Sequence, residues 1–333
     1  MPSSLSTFTR QLAALRQLPQ PTLVEGPNIQ AIFTTWFDKE LRAKMGPEAY
    51  QQATAVLQQY TAAVQLCRTD KLAAALAQLQ LADAELAELP AAPQAFVTLF
   101  HLSAWGNYQY KVGNATQGIA LLHQGLLLSA ELERQGYKLI YRRVEQLLNI
   151  VALYTQQQHH ARAHNLLRNI LTFAHTGQAT GLLIDDWDGA ALQQVRAYQE
   201  HTLDEAFAKL ASQNTTYLTH PQYTDDYHYH FFFRDLLQQL HPDTYNRAIL
   251  HNWLYVKESY YQNGLNSFLE NVLIFVADPE IASEYGVFKA NLLAQAGHYL
   301  HQQTSDTTHL AVIRNFATAT LLDRRGRAVR LAA

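Results

Sequence analysis

The chain has 333 residues, room for two or three ordinary domains or for one long array of helices. Charged residues make up only 16%, against about 25% in an average soluble protein, and the formal net charge is −3. No global field draws such a chain to nucleic acid or to an anionic membrane, and no window approaches the ~20 uninterrupted apolar residues of a membrane span.

The N-terminal stretch MPSSLSTFTRQLAALRQL carries Arg10 and Arg16 at helical spacing, so it reads as an amphipathic helix over 4–18 with Leu5, Phe8, Leu12 and Leu15 on one face. The proline-rich QLPQPTLVEGP follows as a linker. A second helix is expected over 28–45, its stripe made by Ile32, Phe33, Trp36, Phe37 and Leu41, with Gly46 as its stop. Pro47 opens a third helix reaching about Cys67, and Thr69 or Asp70 caps a fourth that ends at Pro90.

Between Pro93 and Pro221 there is no proline, and a proline-free stretch leaves room for long helices. Helices are expected at 95–112 and 115–135, broken at Gly113-Asn114, and at 137–157 and 160–175. Gly136 separates the two pairs. A weaker pair is expected at 190–201 and 203–211. Asp186 and Asp188 of the DDWDGA run read as helix-start residues. After a Thr/Asn/Asp/Tyr-rich loop, helices follow near 229–240, 242–262, 265–276, 279–303 and 307–322. The tail DRRGRAVRLAA is basic. Sustained apolar–polar alternation is missing, so the fold class is all-α. The expected organisation is 1–46 for N-terminal helices and linker, 47–213 for helical repeats, 214–323 for a C-terminal helical subdomain and 324–333 for the tail.

The two middle pairs carry a pattern. The first shows Leu102, Trp105 and Gly106, then Gly113 at the turn, then Gly118, Leu122 and Gly125. The second shows Leu147, Ile150, Val151 and Tyr154, then Ala163, Leu167 and Ile170. Large residues followed by small ones on both sides of a turn are what closely packed helices need. The order resembles tetratricopeptide (TPR) hairpins, in degenerate repeats longer than the ~34-residue norm. The resemblance implies a TPR-like α-solenoid of antiparallel helix pairs, and a protein or peptide ligand on the concave face made by the first helix of each pair. It places Ser103, Asn107, Tyr110, Lys111 and Asn149 on that face. Asn107 and Asn149 match the asparagines with which carboxylate-clamp members hold a peptide, whereas Ser103 stands where the clamp keeps a lysine.

No phosphate loop, dinucleotide fingerprint or serine-hydrolase motif is present, so no cofactor is expected and the chain reads as a binding scaffold. The alternative is an all-α metal-dependent enzyme in the 225–241 segment, where Asp225, Asp226, His228 and His230 offer oxygen and imidazole ligands for zinc or iron. The single cysteine, Cys67, cannot make an intramolecular disulfide, which points to a reducing, cytoplasmic compartment.

Overall fold

The computed structural model describes residues 2–16, 38–39, 41–193, 196–218, 234–304 and 307–321. Every regular element among them is helical. None of these helices is long and apolar enough to cross a membrane. The chain divides into two compact units, one of Asn28–Leu203 and one of Met1–Pro27 with Asp204–Ala333.

The first of these holds α2 (Pro47–Arg68), α3 (Leu72–Ala87), α4 (Ala91–Lys111), α5 (Ala115–Arg134), α6 (Ile140–Gln156), α7 (His160–Thr176) and the short α8 (Gly189–Gln193). Three hairpins follow one another: α2 packs on α3, α4 on α5 and α6 on α7. In addition α4 rests on both α2 and α3, and α6 rests on α5. The reversal expected at Gly113 is present, and so is the one at Gln157. Their mechanism is shared. The residue after the helix cap turns left-handed, and the N–H of the next residue bonds the carbonyl five positions back. Asn114 N–H thus reaches Gln109 O at 2.8 Å, and His159 N–H reaches Tyr154 O at 2.9 Å. At Gly113 the left-handed φ of 85° is free of side-chain cost; the second turn puts Gln158 at φ 59°.

The same turn closes α2 and α3, and there the sequence expectation needs correction. Asp70 has φ 58°, and Lys71 N–H bonds Leu66 O at 3.0 Å. Lys71, with no side-chain bond, occupies the cap position, so neither Thr69 nor Asp70 caps α3. Asp70 is spent on the turn itself, a role its short polar side chain tolerates.

Glycines set the helix separation. At Gly106 a Cβ would sit 3.2 Å from Leu122 Cγ and 3.5 Å from Gly118 O, and at Gly118 it would lie 3.2 Å from both Gly106 O and a Leu153 methyl. The small residues expected to allow close approach do so, between α4 and α5 and between α5 and α6. Beside the α2–α4 crossing, Tyr60, Phe96, Val97 and Leu99 build the core with Leu132, Tyr137 and Leu139.

The pair expected at 190–201 and 203–211 is not formed. The chain instead makes α8 and a continuous α9 (Arg196–Tyr217), because nothing in AYQEHTLDEA removes a backbone donor or favours a left-handed residue.

The other unit holds α1 (Pro2–Leu15), the Asp204–Tyr217 part of α9, α10 (Arg234–Gln239), α11 (Tyr245–Ala277), α12 (Gly286–Thr304) and α13 (Thr308–Thr320). Phe8 and Leu12 of α1 are buried, as its stripe requires, and α1 packs on α11 and α13. The break expected between 262 and 265 is real: Gly264, at φ 80°, interrupts α11. The helix expected from Pro279 starts later. Asp278 Oδ1 accepts from Glu280 N–H at 2.9 Å, so Pro279 serves an Asx turn, and α12 begins at Gly286. Trp253 is fully buried between Phe207 and Phe288, with ring centroids 6.2 and 5.2 Å away.

Two lysines are buried in this unit. Lys257 Nζ donates to Gln295 Oε1 at 2.6 Å and Asn214 Oδ1 at 3.2 Å. Lys289 Nζ donates to the carbonyls of Val276 and Asp278, at 3.0 and 3.2 Å, where α11 ends. Burial pushes the Lys289 ammonium down to about 8, partly opposed by the Asp278 charge. Between that value and the ordinary lysine range the unfolded chain holds a proton the folded one has lost, so stability rises with pH there. The urea midpoint of the full chain is expected to move up between pH 7.5 and 9.5, by roughly 2 kcal/mol in this unit's unfolding. Lys289→Met is expected to flatten that rise; an unchanged slope would show that the lysine stays charged in the fold.

Candidate functional site

Side-chain contacts fix the direction of the first helices of the three hairpins. Tyr60 meets His101, and Asp70 meets Lys111, so α2 and α4 run the same way. Arg142 lies over the Phe100 ring at 4.5 Å, Gln146 Nε2 donates to Ser103 Oγ at 3.4 Å, and Gln156 Nε2 donates to Tyr110 O at 3.1 Å. These three rungs ascend together, so α4 and α6 are parallel as well. Between the second and third rungs lie Asn107 on α4 and Asn149 on α6, which the register brings to the same level.

The residues singled out from sequence differ in what they leave available. Ser103 Oγ donates to Leu99 O at 2.9 Å and accepts from Gln146. Asn107 is half-buried, and its Oδ1 is buried without a hydrogen-bond partner. Tyr110 is half-buried. Lys111 Nζ sits 2.7 Å from Asp70 Oδ1. Asn149 is exposed. Gln146 was not legible as part of this face. It is fully buried, its Oε1 lacks a partner, and its amide lies against Gly125, where a Cβ would sit 2.6 Å from Nε2 and force the side chain to shift. A glycine one helix away is the only sequence trace it leaves.

A second polar constellation joins α2, α3 and α4. The Asp83 carboxylate accepts from Tyr60 Oη at 2.7 Å, from His101 Nδ1 at 2.8 Å and from Trp105 Nε1 at 3.1 Å. Burial first, then the Asp83 bond and charge, raises the Tyr60 phenol well above its ordinary range. One carboxylate thus satisfies donors from two helices and holds His101 with Nδ1 toward it, leaving Nε2 as that ring's other nitrogen. The arrangement locks three helices together. It escaped the sequence because Tyr60, Asp83 and His101 belong to different helices and form no motif.

The paired arginines of α6 part company. Arg142 pairs with Glu145 at 2.9 Å, whereas Arg143 is fully buried. Arg143 bonds Glu133 Oε2 and the carbonyls of Asp186 and Asp185, at 2.7 and 3.2 Å, and lies 4.1 Å over the Trp187 ring. It pins the 177–188 loop to α6. Desolvation raises the Glu133 carboxyl, and the Arg143 charge and bond oppose the rise. Asp188 starts a helix as expected, accepting from Ala190 and Ala191 N–H at 3.0 and 3.1 Å. Asp186 does not: it lies in the loop at φ 64°, its carboxylate 3.6 Å from Arg134.

Asp225, Asp226, His228 and His230 lie outside the described residues. Among the described residues no group of three or more His, Cys, Asp and Glu is placed to hold a metal ion. No protein family, curated protein or solved structure matches the chain.

Proposed function

We propose that Asn28–Leu203 is a TPR-like stack of helix hairpins that binds a protein or peptide segment along the face of α2, α4 and α6. The observation that carries this reading is the parallel alignment of α4 and α6, which sets Asn107 and Asn149 level on neighbouring helices. An amide side chain offers a donor and an acceptor, the complement of a peptide bond, so two amides at one level suit an extended main chain. Ser103, Tyr110 and Lys111 flank them on α4. Small residues at the helix crossings and the repeated turn agree with a TPR-like stack. The reading assumes a cytoplasmic protein, which the lone, buried Cys67 thiol suits.

The test is selection of random twelve-residue peptides on the full-length protein, followed by affinity measurement on the Asn107→Ala, Asn149→Ala double variant. A loss of at least tenfold is expected, with an unchanged melting temperature. Selected peptides that bind the double variant as well as the parent would place binding elsewhere and remove the proposal.

A further inference from the structure

Building on that binding reading, we infer that the α4–α6 face takes an internal, uncharged stretch of extended chain and not a free C-terminal carboxylate. A carboxylate held at a protein surface needs a cation or a set of unspent donors. The two cations on this face are already neutralised within the chain. Lys111 Nζ is 2.7 Å from Asp70 Oδ1, and Arg142 is 2.9 Å from Glu145 Oε2 while its guanidinium covers Phe100. The Ser103 hydroxyl, standing where a clamp would keep its lysine, gives its proton to Leu99 O.

Of the three buried side-chain atoms without a partner on this face, two have the opposite polarity from a carboxylate-binding set; the third, Arg142 Nε, is shut off from solvent in the side chain that covers Phe100. Asn107 Oδ1 and the oxygen of the fully buried Gln146 are both acceptors without a donor. Oxygens left in that state repel an incoming carboxylate and attract N–H groups. Asn107 is only half-buried, whereas Gln146 is fully buried and keeps Ser103 Oγ engaged. An extended main chain supplies N–H donors at every residue and carries no charge away from its ends. Flanked by Phe100 and Tyr110, the face matches a neutral segment better than a charged terminus.

Random twelve-residue libraries displayed in two formats test this on the full-length protein: one ends in a free carboxylate, the other is embedded between flanking segments. The expected result is enrichment from the embedded library, and selected peptides that keep their affinity within about threefold when synthesised with a C-terminal amide. Binders found only in the free-carboxylate library, losing more than tenfold on amidation, would overturn the inference while leaving the binding face intact. Enrichment from neither library would overturn the binding reading itself and the inference with it. A gain-of-function variant adds an independent measure. Asp70→Asn frees Lys111, and free-carboxylate peptides are then expected to bind at least threefold better than their amides; parity between the two forms in that variant would contradict the role given to the Asp70–Lys111 pair.

Discussion

Gly106→Leu is expected to cost about 3 kcal/mol, the upper part of the range for overpacking a well-filled interior. The position is buried, and even a Cβ meets Leu122 Cγ at 3.2 Å and Cδ2 at 3.3 Å, with Gly118 O behind them at 3.5 Å. Three further heavy atoms have no room without parting α4 from α5. The substitution also brings a better helix former, a gain of at most about 1 kcal/mol, so packing decides the sign. In thermal unfolding the melting temperature is expected to fall by roughly 6–12 °C for a unit of this size. Gly106→Ala, which asks Leu122 to give by only a few tenths of an ångström, is expected to cost far less. Equal stability of the leucine variant and the parent would mean that these helices do not cross at this glycine.

Asp83→Ala is the second large effect, expected at about 2 kcal/mol in urea unfolding. The change removes the shared acceptor of Tyr60, His101 and Trp105, and Tyr60 is fully buried, so its hydroxyl cannot turn to water. Partial rescue comes from His101 itself. Its Nδ1 lies 3.2 Å from Tyr60 Oη and takes that proton once the ring adopts the other tautomer, which keeps the loss below the sum of three bonds. Asp83→Asn retains an acceptor of the same shape and is expected to cost less than half as much. A parent-like urea midpoint for Asp83→Ala would show that the carboxylate joins no helices.

Helix positions were legible where one residue type dictates backbone geometry. Gly113, Gly136 and Gly177 sit at left-handed helix ends, and Gly264 interrupts a long helix, all as glycine's freedom at positive φ leads one to expect. Legibility ended where an ordinary residue takes a special conformation. Asp70 adopts the conformation of a turn glycine although its composition signals a cap, and Pro279 fits a turn as readily as a helix start. The polar groups of the candidate face were partly legible, because Asn107 and Asn149 follow from aligning two hairpins. Gln146 was not: its burial and its close approach to Gly125 arise from packing against another helix, and neither property resides in its own neighbourhood in sequence. Asp83 and Arg143 were missed for the same reason. Both act on chain segments far away in sequence, and a charged residue in a helix otherwise reads as a solvated one.

The parallel course of α4 and α6 is the claim on which the binding face stands, and two spin-label distances measure it directly. Labels at Ser103 with Glu145, and at Tyr110 with Gln156, occupy half-buried or exposed positions, and the fully buried Cys67 is shielded from the labelling reagent. Parallel, in-register helices put both pairs in the shortest measurable range. If the helices ran in opposite directions, closeness of one pair would force the other apart by roughly 27 Å, about two turns along α4 and three along α6. One short and one long distance would contradict the arrangement.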